Sequence, residues 1–477
     1  MNPARLIRAA FFAVLAIFFV EFHRRVLRVH FGPDEMMNLY GHWQPALWRV
    51  IAAHFAFWMD IVRPMGAIYY LPLYHWFGLN PWPFSLVRSI ILFVNTIIFF
   101  LLAKEITRSW WIAMLASFPM AYQSTIGNLH YDGAFIYDVL CGGFYFGALL
   151  YYLRSRRHQR PLNARQTCIF LLLYICALGA KEMAVSLPVV VLAWEFLVAG
   201  RRAKIGTALI AGAITAFFIL GKSLGPTSLA SIDAYRPVFT WIRFADANTR
   251  ILNQLFYTDI FTISQVLALW AVLLYIGLRN WGLRKFDPRW LFLLAWVVIT
   301  PLPLDFIPGR GRATFYIVAA GWAMMTALAL RAVLRRFARQ PVAGLPRQAI
   351  MAAGLAACIF GYWQQTKLED RQLVPYYLRT GEDTQQAIAQ MQSLGVRPSP
   401  HSLVVFLRSP FPADYDTLFI AALVWNDPTL NIWLQYKHPL SEADLGKANY
   451  IFDYVDGRFI DRRAAPRSEF APSLRDH

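Results

Sequence analysis

Asp34 and Glu35 stand side by side after Gly32-Pro33, and further along the chain Arg63, Arg88, Asp132, Lys181-Glu182, Arg310 and Arg312 each lie at or beside an apolar run. Ionisable groups in such places are expensive unless paired or hydrated, so each is a candidate for function. Acids and bases gathered on one face suit a site for an anionic ligand: a carboxylate accepts a proton from an attacking hydroxyl while cations hold the anion. Each residue also has a plainer reading. Asp34-Glu35 can be a solvated turn after a proline, Lys181-Glu182 the polar hairpin between two apolar runs, and Asp132 the cap of a helix opening at Gly133. Arg310 and Arg312 can be interfacial anchors that snorkel. His130 beside Tyr131 reads as an interfacial side chain, and no HxxxH pattern supports zinc.

The elements that carry these residues belong to a membrane protein. The 477-residue chain is 57% hydrophobic and only 16% charged, against about a quarter charged in soluble domains, and apolar runs near the length of a span recur. That excludes an ordinary cytosolic enzyme. The net charge of +18 falls largely in short clusters between apolar runs, which read as topology signals and not as a nucleic-acid surface. Cys141, Cys168, Cys176 and Cys358 lie in apolar stretches without a CxxC pair, as core or lipid-facing thiols.

The first apolar run, 6–22, has no small-residue cleavage site after it and reads as an uncleaved span. Further spans are expected at about 84–103, 109–124, 133–152, 166–180, 183–199, 205–221, 260–278, 290–304, 313–330 and 348–362. The run 65–79 is short and broken by Pro72, too short for a hydrocarbon core of roughly 30 Å at about 1.5 Å per residue. Leaving it out puts the clusters around Lys104, Arg156, Arg201, Arg284-Lys285 and Arg335/Arg339 on one side, which the positive-inside rule makes the cytoplasm. The reading is therefore an all-α polytopic protein of eleven spans, amino terminus inside and carboxyl terminus outside, in a bacterial inner membrane. Arg24, Arg25 and Arg28 are its exception, left on the outer face. The stretch 45–60, with Trp48, Arg49, His54 and Trp58, suits a helix in the headgroup layer.

Residues 1–362 thus form a membrane domain and 363–477 a small extracytoplasmic α/β domain. In the latter, helices are expected at 384–394, stopped by Gly395, and at 416–425. Strands are expected at 402–407 and 431–436, with a hairpin at 449–462 turning on Asp456-Gly457.

With that order in view, Asp34-Glu35-Met-Met-Asn-Leu-Tyr40, then Arg63-Pro64, then Phe77-Gly78 and Arg88 opening the next span resemble the start of GT-C fold glycosyltransferases. The nearest group is that of protein O-mannosyltransferases and lipid A aminoarabinose transferases. Lys181-Glu182 with Pro188 resembles the Lys-Glu…Pro segment of tetratricopeptide-containing relatives, and Arg312 with Tyr316 their late Arg-x-x-x-Tyr element. The likeness covers roughly residues 6–330; tetratricopeptide repeats are missing, and the external tail has no counterpart with a known role.

The resemblance implies a mannosyltransferase-like enzyme of the cell envelope, with a polyprenyl-phosphate sugar as donor and a hydroxyl of a protein, lipid or glycan as acceptor. Asp34 matches the family's base, Glu35 its neighbour and Asp132 a second external acid. Arg63, Lys181, Glu182, Arg310 and Arg312 would form the substrate-binding set, with cations on the leaving phosphate. With the adjacent Asp34-Glu35 as the acidic set, no metal or other cofactor is expected. Two other classes fit some features: a transporter of a lipid or solute, since charges near span ends also mark carriers, and a non-catalytic envelope scaffold.

Overall fold

The computed structural model describes residues 3–157, 160–225, 236–283, 287–309, 312–337 and 347–462. Arg310, Arg284, Lys285, Arg339 and the tail beyond 462 lie outside the described residues.

The amino-terminal half holds α1 (Pro3–His23), α2 (Pro33–Trp43), α3 (Leu47–Ala52), α4 (Ala67–Phe77), α5 (Pro81–Thr107), α6 (Trp110–Ala121), α7 (Asn128–Tyr131) and α8 (Ile136–Ser155). There follow α9 (Ala164–Ala180), α10 (Leu187–Trp194), α11 (Gly206–Leu224), α12 (Trp241–Leu255), α13 (Ile263–Leu283), α14 (Pro288–Ile299), α15 (Leu302–Asp305) and α16 (Tyr316–Phe337). α8 packs against α5 and α9, and α6 lies against α5 and α16. The chain is an integral membrane protein. Six stretches among the described residues are long and apolar enough to cross a bilayer: Arg5–Arg28, Pro81–Thr107, Gly133–Ser155, Glu182–Ala199, Gly206–Leu224 and Arg312–Arg336.

The expected spans at 109–124 and 166–180 are shorter helices, α6 and α9. The one at 290–304 stops at Ile299, just before Pro301, whose ring cannot continue the hydrogen-bond ladder. The short run 65–79 is the 11-residue α4, with Pro72 inside it.

The carboxyl-terminal part begins with a helix that ignores the expected boundary. α17 (Arg347–Arg379) is 33 residues long, about 50 Å at the usual rise, and passes through residue 363 without a break. After it come α18 (Glu382–Ser393) and a four-stranded sheet in the order β2-β1-β3-β4, with α19 (Asp416–Trp425) between β1 and β2 in the chain. Its strands are β1 (Leu403–Phe406), β2 (Asn431–Leu434), β3 (Tyr450–Val455) and β4 (Arg458–Asp461). β1 pairs in parallel with β2 (Val405 opposite Trp433) and β3 (Val405 opposite Ile451), and β3 with β4 antiparallel. Asp456 and Gly457 both have positive φ, 52° and 77°, as the two-residue hairpin turn that suits strand twist requires.

The sheet domain rests on the membrane domain through α19, which lies along α2. The Tyr40 and Phe419 rings are 5.2 Å apart, Trp43 donates its indole N–H to Asn426 at 3.1 Å, and Tyr74 donates to the Leu423 carbonyl at 2.6 Å. Pairing of 40 with 419 and of 43 with 426 makes the two helices parallel, so Asp34 and Asp416 stand at the same end.

Candidate active site

α2 opens with Pro33 at its first position and carries Asp34 and Glu35 in its first turn, where proline is preorganised and acids meet the positive end of the helix dipole. Adjacent residues on a helix point about 100° apart, so the two carboxylates part company. Asp34 lines a cavity of about 210 Å³ with Asn128, Asp132, Phe135, Arg312, Tyr376 and Tyr377 near the end of α17, and Thr380 and Gly381 just beyond it. Glu35 turns inward and is only 3% exposed. A Cβ on residue 133 would stand 1.7 Å from its Oε1, so Gly133 is what admits the carboxyl. Arg88, fully buried, comes to 4.0 Å of the same oxygen and donates its Nε–H to the His130 carbonyl at 3.0 Å.

Asp132 accepts the Ala134 N–H at 2.9 Å and so does cap the turn at Gly133, while the same side chain borders the cavity. The plainer reading and the functional one hold together for this residue.

Burial controls the acidities. It pushes Glu35 up to about 7, with Arg88 opposing and Asp132 adding, and Asp132 up to about 6. Asp34 is raised by burial and then by Asp414. For Glu35 the folded state keeps a proton that the unfolded chain, with its ordinary value of 4.5, has lost. Its contribution to stability is therefore complete below about 4.5 and disappears as pH rises through about 7. Thermal unfolding in detergent is expected to show a lower Tm at pH 8 than at pH 5, and Glu35→Gln to flatten that slope; an unchanged slope in the variant would count against it.

The cations divide into two groups. Arg63 has a left-handed backbone, φ 52°, and forks onto Glu182 with contacts of 3.3 and 3.1 Å. Lys181 reaches Asp138 at 2.5 Å. Both are thus matched by carboxylates of the protein itself. Lys181 remains next to the cavity, 5.9 Å from the centre of the Phe135 ring that walls it, and Arg63 lies over the neighbouring Tyr137 at 5.5 Å. Arg312 differs. It is exposed, lines the cavity and forms no ion pair among the described residues. Its backbone is set by the Gln254 side chain, which accepts the Arg312 N–H at 2.9 Å, and by Asn128, which accepts the next N–H at 3.1 Å.

The structure therefore brings Asp34, Asp132 and Arg312 together, sets Lys181, Glu182 and Arg63 in a paired cluster behind Phe135 and Tyr137, and buries Glu35 beneath Gly133. Sequence reasoning passed over Asp138, an acid two residues into an α-helix of an expected span, which the cost of buried charge would have flagged. It also passed over Asp414-Tyr415-Asp416, a DxD spacing in the sheet domain. Burial, then Asp414 and Asp34, raise Asp416 to about 6, so Asp34 and these acids feel one another's charge. Among the described residues no three His, Cys, Asp or Glu side chains are placed to hold one metal ion.

This scaffold has the GT-C fold. Three solved structures share it. The oligosaccharyltransferase of Archaeoglobus fulgidus, tethered with an acceptor peptide containing the NVT sequon, aligns at TM-score 0.52 and 14% identity over 89% of this chain and 63% of that one. The oligosaccharyltransferase AglB of the same organism, in complex with an inhibitory peptide and a dolichol-phosphate, gives 0.52 and 12% over 94% and 69%. ArnT from Cupriavidus metallidurans in the apo state gives 0.50 and 12% over 95% and 94%. The chain thus spans less than two thirds of the first of these and nearly all of the last. No protein-family model matches the sequence, and no curated protein does.

Proposed function

We propose that the protein transfers a sugar, with inversion, from a polyprenyl-phosphate donor to a hydroxyl acceptor at the extracytoplasmic membrane face. The observation that carries this reading is the convergence of Asp34, Asp132 and Arg312, from distant parts of the chain, on one cavity of a GT-C scaffold. Asp34 is the base that takes the acceptor's proton, Asp132 orients the acceptor, and Arg312 neutralises the departing phosphate. Lys181 and Arg63, already paired, hold the cavity wall in place. Glu35 supports α2 from below.

A second, apolar cavity of about 350 Å³ supports the lipid donor. It is lined by Phe118, Leu255, Trp322, Ile359 and Tyr362, and Leu255 follows Gln254, the residue that fixes the Arg312 backbone. A polyprenyl chain in that space has its phosphate at Arg312. The dolichol-phosphate bound by AglB is a ligand of this chemistry.

The deciding experiment incubates purified protein with labelled polyprenyl-phosphate sugars, mannose first, and cell-envelope acceptors, and detects released polyprenyl phosphate. Release that depends on protein and acceptor is expected; none with any donor would sink the proposal. Because Asp34 and Glu35 diverge, they do not share a metal ion, and transfer is expected to persist in EDTA. Loss in EDTA with recovery on adding manganese would overturn that part.

A further inference from the structure

Arg24, Arg25 and Arg28 are the cations that the positive-inside argument leaves on the outer face, and the structure gives them company. Arg25 and Arg28 face Arg371 and Arg379 of α17 across a cleft of about 510 Å³. All four are exposed and form no ion pair among the described residues. Of the two acids that border the cleft, Asp370 is already committed, accepting from Tyr122 at 2.8 Å and Ser124 at 2.5 Å. The cleft thus sets two carboxylates, Asp370 and Glu382, against four guanidinium groups.

The floor of the cleft is apolar, made by Val374, Pro375 and Leu378. It lies where α1 reaches the end of its apolar run, one turn beyond the exposed Ile17 and Val20, and so at headgroup depth. Guanidinium forks match phosphate oxygens, and clustered cations beside a span attract anionic headgroups. α17 is the party wall: Arg371, Val374 and Leu378 face the cleft, whereas Tyr376, Tyr377 and Thr380 face the cavity of Asp34.

We propose that this cleft binds the phosphate of an anionic lipid headgroup. A soluble phosphate would use the arginines but not the apolar floor or the membrane-level position.

The test uses the full chain in phosphatidylcholine nanodiscs, titrated with phosphatidylglycerol and read by native mass spectrometry. With each cation near a membrane surface worth about fivefold in affinity, Arg25→Gln/Arg371→Gln is expected to weaken phosphatidylglycerol binding roughly thirtyfold, with phosphatidylcholine retention unchanged. Arg28→Gln/Arg379→Gln, at the other end of the cleft, should do the same and serves if the first pair fails to fold. Wild-type binding in both variants overturns the proposal, as does displacement of the lipid by inorganic phosphate at equal concentration. Binding is read without turnover, so a protein that holds the lipid but transfers no sugar refutes the transferase reading alone.

Discussion

Asp34→Asn is expected to abolish transfer, lowering turnover by roughly 10²–10⁴-fold, the usual contribution of a positioned general base. The substitution keeps the size of the side chain and removes its ability to accept a proton. Asp34 is exposed and reaches the cavity, so the amide is accommodated without a new void or a clash. Tm should therefore stay near the wild-type value while release of polyprenyl phosphate stops. Wild-type turnover in this variant would refute the assignment, and so would an equal loss in Glu35→Gln, whose carboxyl is hidden under Gly133.

The second large effect belongs to Arg312→Gln. A cation that neutralises a leaving phosphate is worth about 3 kcal/mol, a hundredfold or more in kcat. Arg63→Gln should behave differently. It leaves Glu182 uncompensated, since the two form a close pair with side chains only 20% and 28% exposed, and the loss is expected in Tm more than in kcat. Steady-state kinetics and thermal unfolding of the two variants side by side separate the roles. If Arg63→Gln loses turnover with an unchanged Tm while Arg312→Gln keeps it, the phosphate contact has been placed on the wrong arginine.

The carboxyl-terminal sheet domain was largely legible in the sequence. Strand alternation and the Asp456-Gly457 turn placed the hairpin within a residue or so, and the helix expected at 416–425 is α19. The boundary at 363 was not legible, for a physical reason. The shift from Trp363 to Gln364 and onward marks where the chain leaves apolar surroundings, but polar residues such as Gln365, Lys367 and Glu369 are good helix formers and continue the helix to Arg379. The helices α6 and α9 show the converse, since apolar composition does not guarantee length.

At the site, the acidic pair and the distant arginines stood out because charge beside apolar runs is conspicuous. Which acid faces the cavity did not, because that depends on how α2 is rotated and on the missing side chain at Gly133. Nor could spacing show that Arg63 and Lys181 are matched by Glu182 and Asp138 while Arg312 is not. Asp414 and Asp416 come within electrostatic reach of Asp34 only because α19 runs beside α2, a tertiary fact with no local signal.

The unbroken α17 means that this protein cannot be taken apart at residue 362. A cut there would sever a single rod that forms one wall of the Asp34 cavity with Tyr376 and Tyr377 and hands the chain to α18 only at Glu382. Exchanging the sheet domain at that point would thus replace part of the cavity along with it, so chimeras should be joined among residues 394–402, after α18 and before the first strand.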